Sequence, residues 1–377
     1  MPSDRGTRGR DLSSREGTRE PVAGRVVEST TVAASGEIPS SESVRSRSRR
    51  EDDHGLRIGV VIPARNALPY LKLSLPAIAA ARDRAGGLIT VQKVVVVDHH
   101  STDGSESFVR DVFGRLATVV SSTGKTVAEV RNFGASLLSA DVLVFLDADC
   151  VVHPDYFLRI CDVLRDPEIG ATGATCAVPS PAHWIEQTWD RMHRRSHNGA
   201  ASYINSGNFV CRKGAFEAVR GFNIRLVTDE DTDICQRLQA AGFKIYEHAG
   251  ITAVHLGNPK SLFAFFKREL WHAESMFRDI RSAVRDRPLV MSVAHLGLLL
   301  VAAASPLVTR GFTMRMMGSS LAVAVPFAAV IYRSLQHRRL PPLARGTLLY
   351  FLYFTARVLS IFRLIPRWIL RVAPEAK

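Results

Sequence analysis

The sequence is poor in cysteine. It has five cysteines among 377 residues: Cys150, Cys161, Cys176, Cys211 and Cys235. No two of them have the close spacing of a zinc-binding pair, and an odd number argues against a complete disulfide framework. We therefore expect reduced thiols in a cytosolic compartment. The absence of an apolar run near the first residue likewise predicts no secretory signal.

Aromatic residues are missing from residues 1–54, which are rich in Ser, Arg, Glu, Thr and Gly. A segment of this composition cannot bury enough apolar surface to offset the entropy lost on ordering. The composition therefore predicts a disordered, solvated tail over residues 1–54.

Acidic residues are nearly missing from the last quarter of the chain. Residues 286–377 carry 12 Lys or Arg and only two acids, whereas residues 54–285 carry 27 Lys or Arg and 24 acids. The net charge of +13 therefore belongs mainly to the C-terminal quarter, which is also the most apolar part. A basic and apolar segment favours a membrane as the partner and argues against nucleic acid.

Two uncharged apolar runs, residues 288–308 and 316–332, predict a membrane hairpin. Because the larger basic cluster follows the second run, both ends of the hairpin should face the cytoplasm. Regularly spaced arginines in residues 347–373 predict a helix in the membrane interface. A third spanning helix is the alternative there, and buried helices of a soluble domain are the alternative for the hairpin. The predicted domains after the tail are residues 55–285 and 286–377.

Short apolar strands alternate with helices from residue 57 onward. The strands are "RIGVVIP", "VQKVVVVD", "ATVVSS" and "DVLVFLD". Nearly continuous apolar strands separated by helices predict an α/β fold with a mostly parallel sheet, covered on both faces. In such sheets ligands bind beyond the carboxyl ends of the strands, where Asp98 and Asp147 stand.

Asp147 and Asp149 form an Asp-x-Asp pair after the fourth strand. Alternation along an extended chain sends both side chains the same way. Two neighbouring carboxylates repel each other unless a cation lies between them. Mg²⁺ or Mn²⁺ binds such carboxylates together with phosphate oxygens. The pair therefore predicts a divalent metal site, with two solvated turn acids as the alternative.

A second acidic cluster opens the stretch "VTDEDTDICQRLQAAGF", which has the pattern of a helix. Thr228 is the expected N-cap with Asp231 at the third position, as in a capping box. Acids in a first turn are also favoured by the helix dipole, yet four acids in five positions exceed what a cap requires. A carboxylate held there by backbone N–H groups stays ionised near neutral pH, which suits a general base.

Five stretches in order carry a further signal: "VVIPARN", "VVVVDHHSTDGS", "VRNFGASLLSADVLVFLDAD", "NSGNFVCRKGAFEAVRGFN" and "DEDTDICQRLQAAGFKI". Together they resemble the inverting, metal-dependent family 2 glycosyltransferases over about residues 57–275. The resemblance implies the GT-A fold class, a Rossmann-like and mostly parallel α/β sheet that binds a nucleotide-diphosphate sugar. Here the C-terminal transmembrane or interfacial helices would follow that domain.

The resemblance also implies roles for individual residues. Asp231 would be the catalytic base, with Glu230 beside it. The nucleotide sugar would contact Pro63, Ala64, Asn66, Asp98, Arg131 and Asp147, with Asp98 and Arg131 at the nucleobase. The divalent metal, Mg²⁺ or Mn²⁺, would be held by Asp149, Asp147 and His255, although a structural role for His255 stays open. The acceptor would contact Asn208, Asp229 and Trp271. His99 stands where many members carry a second acid.

The function implied is transfer of a sugar from a nucleotide-diphosphate sugar to a hydroxyl of a lipid-linked or membrane-proximal glycan acceptor. The reaction would be a single displacement that inverts the anomeric centre. The enzyme would lie at the cytoplasmic membrane with its catalytic domain facing the cytoplasm. Two alternatives stay open, a polyprenyl-phosphate glycosyl transferase and a non-catalytic sugar-nucleotide-binding membrane scaffold.

Overall fold

The computed structural model describes residues 55–194, 197–273, 287–308, 312–337 and 341–372. The tail predicted over residues 1–54 lies outside the described residues.

A mostly parallel sheet forms the centre of the fold. The described strands are β1 (Leu56–Ala64), β2 (Ile89–Asp98), β3 (Ala117–Ser121), β4 (Val142–Leu146), β5 (Cys150–Val152), β6 (Ile169–Gly173), β7 (Asn198–Ala200), β8 (Asn208–Arg212), β9 (Lys244–His248) and β10 (Ala253–His255). Eight of them form one sheet in the order β3-β2-β1-β4-β8-β6-β9-β7. Strands β1 to β4 pair in parallel, whereas β8 runs antiparallel to both β4 and β6. The predicted α/β class is confirmed.

Helices cover this sheet and continue beyond it. The described helices are α1 (Leu68–Ala85), α2 (Ser105–Phe113), α3 (Val127–Ser136), α4 (Tyr156–Val163), α5 (Trp184–His193), α6 (Lys213–Ala218), α7 (Glu230–Ala240), α8 (Leu262–His272), α9 (Arg287–Val308), α10 (Phe312–His337) and α11 (Leu343–Val372).

Strand β4 shows why the strands are apolar throughout. All five of its residues are buried. Val144 and Leu146 pack in the core that includes α1 and α4, whereas Leu143 and Phe145 pack in the core that includes α3 and α7. A strand buried on both faces has no position for a polar side chain. Polar side chains therefore appear only where β4 ends, at Asp147.

The small antiparallel pair of β5 and β10 positions the residues beyond β4. Cys150 lies opposite His255 in its register. Because β5 begins directly after Asp149, this pairing brings His255 beside the Asp-x-Asp turn.

The C-terminal helices contact the α/β domain through α11. Leu349, Tyr350 and Phe354 of α11 are buried, and they lie in clusters with Met192 of α5 and Phe265 of α8. The segment Arg287–Ser305 within α9 is the only described helix segment long and apolar enough to span a membrane, and the apolar segment Ser320–Gln336 of α10 is shorter. The domain boundaries and the choice between a spanning and an interfacial α11 stay predictions.

Candidate active site

A cavity of about 430 Å³ opens at the carboxyl ends of β1, β2 and β4. The turn after β1 contributes residues 63–67 to its wall, and the start of α3 contributes residues 124–127. Residues 147–149 form its remaining edge together with His99, Tyr70 and Val130. The cavity thus brings together five of the residues predicted from the sequence: Pro63, Ala64, Asn66, Asp147 and Asp149.

Asp98 ends β2 and is buried. Its Oδ2 accepts a hydrogen bond of 3.0 Å from the backbone N–H of Ser101. Its Oδ1 is buried without a hydrogen-bond partner among the described residues. A buried carboxylate oxygen normally has a partner, so this oxygen is open to a donor group on a ligand.

Asn66 and His99 hold the loops around this position. The Asn66 backbone N–H donates to Ser101 Oγ at 2.8 Å, and Asn66 Oδ1 accepts from the Thr102 N–H at 2.8 Å. His99 Nδ1 lies 3.2 Å from the Ser122 carbonyl oxygen. The side-chain amide oxygen of Asn66 is therefore used to tie two loops together at the cavity wall.

Asp149 and His255 form one corner of the cavity region. His255 Nε2 lies 3.5 Å from Asp149 Oδ2. Gly257 makes room for this carboxylate, because a Cβ there would lie 1.9 Å from Asp149 Oδ2. Burial raises the pKa of Asp149, His255 opposes this effect, and Asp147 adds to it. A carboxylate destabilised by burial and by a neighbouring acid, beside an imidazole, fits a divalent cation chemically.

Arg131 of α3 links the two acidic motifs. Its side chain is only 3% exposed. Nη2 donates to Asp147 Oδ1 and Nη1 donates to Glu230 Oε1, each at 2.7 Å. Burial lowers the pKa of Arg131, but the two carboxylates outweigh it and raise the pKa above the ordinary value. Both terminal nitrogens of the buried guanidinium donate to carboxylates, and the predicted nucleobase contact stays a prediction.

Helix α7 begins differently from the predicted capping box. Asp229 precedes its first residue with a left-handed backbone, φ 64°, and its side chain makes no capping hydrogen bond. Thr228 is buried, and its hydroxyl has no hydrogen-bond partner among the described residues. The predicted N-cap at Thr228 is therefore wrong. After the left-handed residue Asp229, the side chains of Glu230 and Asp231 lie in the protein interior, where both are buried.

Asp231 has the contacts of a fixed carboxylate. Its Oδ1 accepts from the Thr232 N–H at 2.8 Å. Its Oδ2 accepts from the Tyr203 hydroxyl at 2.9 Å and from the Ser206 N–H at 3.3 Å. Burial, and then Glu230, raise its pKa to about 6 against the opposing effect of these hydrogen bonds. The carboxylate is mostly ionised at neutral pH, with a higher pKa than a helix start alone would give.

A comparison with known proteins identifies the family. The model described as "Glycosyltransferase like family 2" matches residues 54–272, more than half of the chain. The chain belongs to this family. The predicted resemblance is thereby confirmed, and the cavity and both acidic motifs lie inside the matched region.

Two curated relatives and one solved structure are similar to this family 2 chain. A pre-mycofactocin glycosyltransferase of Mycobacterium tuberculosis is 25% identical over 210 residues, 52% of this chain and 42% of its own length. An N-acetylglucosaminyltransferase of Sinorhizobium fredii is 25% identical over 276 residues, 65% of each chain. This chain thus spans less than two thirds of both relatives. A mannosyltransferase from Pyrobaculum calidifontis, solved with GDP-Man and Mn²⁺, has a TM-score of 0.54 at 17% identity, covering 86% of this chain and 95% of its own. That likeness supports the GT-A fold.

The residues predicted for the acceptor lie in different environments in this family 2 domain. Asn208 is completely buried, donates to the carbonyl oxygens of Ala174 and Ile251, and accepts from the Tyr156 hydroxyl. Asn208 is thus a core residue, and its predicted acceptor contact stays a prediction. Trp271 of α8 is 46% exposed, and Asp229 is exposed as well.

Sequence reasoning missed Tyr203 and Ser206, which both contact the acids of α7. The Ser206 hydroxyl donates to Glu230 Oε1 at 2.9 Å, beside the ion pair with Arg131. A topological signal was available, because β8 runs antiparallel to β4 and pairs Asn208 with Leu146. The residues just before β8 must therefore lie beside the residues just after β4. Antiparallel pairing was not part of the predicted sheet.

Replacement of Arg131 tests the ion pairs that join Asp147 to Glu230. Arg131→Met leaves Asp147 and Glu230 without their partner, so the free energy of unfolding should fall by about 3–5 kcal/mol. Adding Glu230→Gln should recover part of the loss, because it removes the more buried of the two charges. Urea unfolding of the full chain in detergent measures both effects.

Arg110→Met is the matched control. Arg110 forms an exposed pair with Glu106 on α2, so its loss should cost less than about 1 kcal/mol. Equal effects of the two arginine substitutions would contradict a structural role for the bridge.

The pH dependence of the reaction tests the environment of Asp231. The base role predicted for Asp231 requires an ionised carboxylate, so the rate of sugar transfer should rise with pH through about 6 and level off above it. Tyr203→Phe removes one hydrogen bond that lowers this pKa, while Glu230, Arg131 and Cys235 stay in place. The acidic limb of the kcat/KM profile for nucleotide release should therefore move to higher pH. Tyr246→Phe, on β9, serves as control, and a Tyr203→Phe profile identical to it would refute the assignment.

Proposed function

We propose that this protein transfers a sugar from a nucleotide-diphosphate sugar to a hydroxyl group of a lipid-linked or membrane-proximal acceptor, by a single displacement with inversion. The observation that carries the proposal is a continuous polar network. Arg131 joins Asp147 at the cavity to Glu230, and Ser206 joins Glu230 to Asp231. A donor cavity and a candidate base are thus held in one arrangement, as a displacement between two bound reactants requires.

The cavity supports the donor half of the proposal. Asp98 directly precedes the cavity-lining residue His99 and would offer its unpartnered oxygen to an N–H group of a nucleobase. Lys125 lines the cavity just before α3. An ammonium group near a helix N-terminus suits the negative charge of a diphosphate.

Asp149 and His255 would hold the divalent cation, with Asp147 beside them. The 3.5 Å separation of His255 Nε2 from Asp149 Oδ2 supports this assignment. A bound Mg²⁺ or Mn²⁺ would neutralise charge on the departing diphosphate. The protein's own contribution is to hold the Asp147 carboxylate in one orientation through Arg131.

Asp231 takes the proton from the acceptor hydroxyl as that oxygen attacks the anomeric carbon. Oδ2 is fixed by Tyr203 and Ser206, whereas Oδ1 has a single backbone hydrogen bond from Thr232 and retains capacity to accept another. A base with a pKa of about 6 is ionised at neutral pH and still accepts a proton. A single base and a single attacking oxygen give one displacement, which inverts the centre.

The C-terminal helices support a membrane-proximal acceptor and a position at the membrane. The basic cluster of residues 333–345 favours the cytoplasmic side for the α/β domain. The segment Arg287–Ser305 is long and apolar enough to span a bilayer. Large apolar side chains on α9 and α10 are exposed, among them Val293, Leu300, Phe327 and Leu335. Exposed apolar surface of this extent suits lipid rather than water.

A panel of nucleotide sugars tests the donor half. One of them, with Mn²⁺ or Mg²⁺, should raise the melting temperature of the full chain, because a bound ligand stabilises the folded state by mass action. Asp149→Asn should lose the part of this shift that depends on the metal. Asp162→Asn, which alters an exposed acid of α4, should keep the whole shift. If no nucleotide sugar shifts the melting temperature, the donor assignment fails.

Asp231→Asn tests the base. This nearly isosteric change should keep the thermal shift given by the donor but lower the rate of transfer by about 10²–10⁴-fold. Asp233→Asn, two residues along the same helix and paired with Arg237, is the control and should retain transfer. Full activity of Asp231→Asn would place the base elsewhere. A mild loss would favour a polyprenyl-phosphate acceptor, since a phosphate oxygen needs little help from a base.

A further inference from the structure

Two thiols lie behind Asp149. Cys150 is completely buried, and its Sγ lies 3.8 Å from the Sγ of Cys176. The ligand atoms of Asp149, Cys150 and His255 all lie within 4.8 Å of one another. The proposed transfer reaction uses the carboxylate and the imidazole but gives neither sulfur a role.

Backbone pairing holds these side chains together. Cys150 lies opposite His255 in the antiparallel pair of β5 and β10, and opposite residues project to the same face. The His255 N–H donates to the Ala177 carbonyl at 2.9 Å, and the Ala177 N–H donates to the Ala253 carbonyl at 2.8 Å. These bonds place Cys176 beside the same pair of strands. Backbone hydrogen bonds between these segments therefore fix the relative positions of Cys150, Cys176 and His255.

One separation matches that between two ligands of a tetrahedral zinc ion. Nitrogen and oxygen ligands at about 2.1 Å from the metal lie about 3.4 Å apart, and His255 Nε2 lies 3.5 Å from Asp149 Oδ2. The Sγ of Cys176, 3.8 Å from that of Cys150, lies outside this three-ligand group. The separations of Cys150 from the other two ligands, up to 4.8 Å, require a short inward movement on binding.

The cluster also has a route from solvent. The side chains of His255 and Asp149 are 28% and 21% exposed, and Asp149 lines the 430 Å³ cavity. A cation can therefore reach the carboxylate and the imidazole from the cavity, with the thiols behind them.

We propose that Asp149, Cys150 and His255 form a binding site for a thiophilic divalent cation, with Zn²⁺ as its reference member and Cys176 as an adjacent thiol. The thiol of Cys150 loses its proton to solvent as the sulfur–metal bond forms. This site goes beyond the proposed function, because Mg²⁺ prefers oxygen ligands and makes no use of sulfur. A thiophilic ion bound here occupies Asp149 and His255, and so it inhibits sugar transfer.

Co²⁺ is the probe, because a thiolate bound to it gives a charge-transfer absorption band in the near ultraviolet. The full chain, kept reduced with a phosphine, should develop this band. Zn²⁺ should abolish it, whereas Mg²⁺ at the same concentration, which binds nitrogen and sulfur ligands far more weakly, should not. Cys150→Ser should remove the band and weaken Co²⁺ binding by at least about tenfold. Cys161→Ser, on α4 and outside the cluster, is the matched control and should leave both unchanged.

A second variant distinguishes unfolding of the protein from removal of a metal-ligating side chain. His255→Gln changes a partly exposed side chain and should also weaken Co²⁺ binding at least about tenfold, with the melting temperature measured for each variant. The absence of a band in the wild-type chain, or a band that survives Cys150→Ser, would overturn the site. The thermal shift with nucleotide sugars is measured separately, so failure of this site and failure of the proposed function are distinguishable.

Discussion

The arrangement of the active site depends on one buried cation. Arg131 lies between Asp147 and Glu230, while Asp231 adds a third carboxylate that raises its pKa further. Without a cation these acids, two of them buried, would repel one another. A buried ion pair adds little net stability, since desolvation cancels most of the attraction. What it does supply here is geometry, because each carboxylate is bound to a fixed fork of donors.

The change of strand direction at β8 explains how the two motifs meet. Asp147 follows β4, and the antiparallel β8 returns the chain so that residues 203–207 pass beside it. The Asp147 N–H donates to the Gly207 carbonyl at 3.1 Å. Tyr203 and Ser206 then reach the acids of α7 on the far side. The short segment before β8 therefore connects the cavity to Asp231. Its hydrogen bonds lower the pKa of that carboxyl against the larger effects of burial and Glu230.

The parts of this structure that were predictable from the sequence are those with a local signature. Apolar runs marked strands β1 to β4, and the geometry of parallel sheets placed Asp98, Asp147 and Asp149 at one edge. The parts that were missed depend on contacts between distant residues. Arg131 pairs with Glu230 across 99 positions, and Asn208 is held by Tyr156 across 52. The cap predicted at Thr228 failed because Asp229 adopts a left-handed backbone, which a spacing pattern does not encode.

A second buried ion pair lies where the C-terminal helices contact the α/β domain, and it too pairs a buried carboxylate with arginine. Glu269 of α8 is buried, and it accepts from Arg268 and, at 3.2 Å, from Arg357 of α11. The Arg357 guanidinium also lies 3.6 Å from the centre of the Tyr353 ring. Separating α11 from α8 would leave the Glu269 carboxylate buried with less compensation, which is costly. The two helices are therefore held in one register, and Trp271 at the end of α8 keeps a fixed position relative to the helices that carry the apolar surface. The C-terminal helices are thus coupled to α8 through the Glu269–Arg357 ion pair.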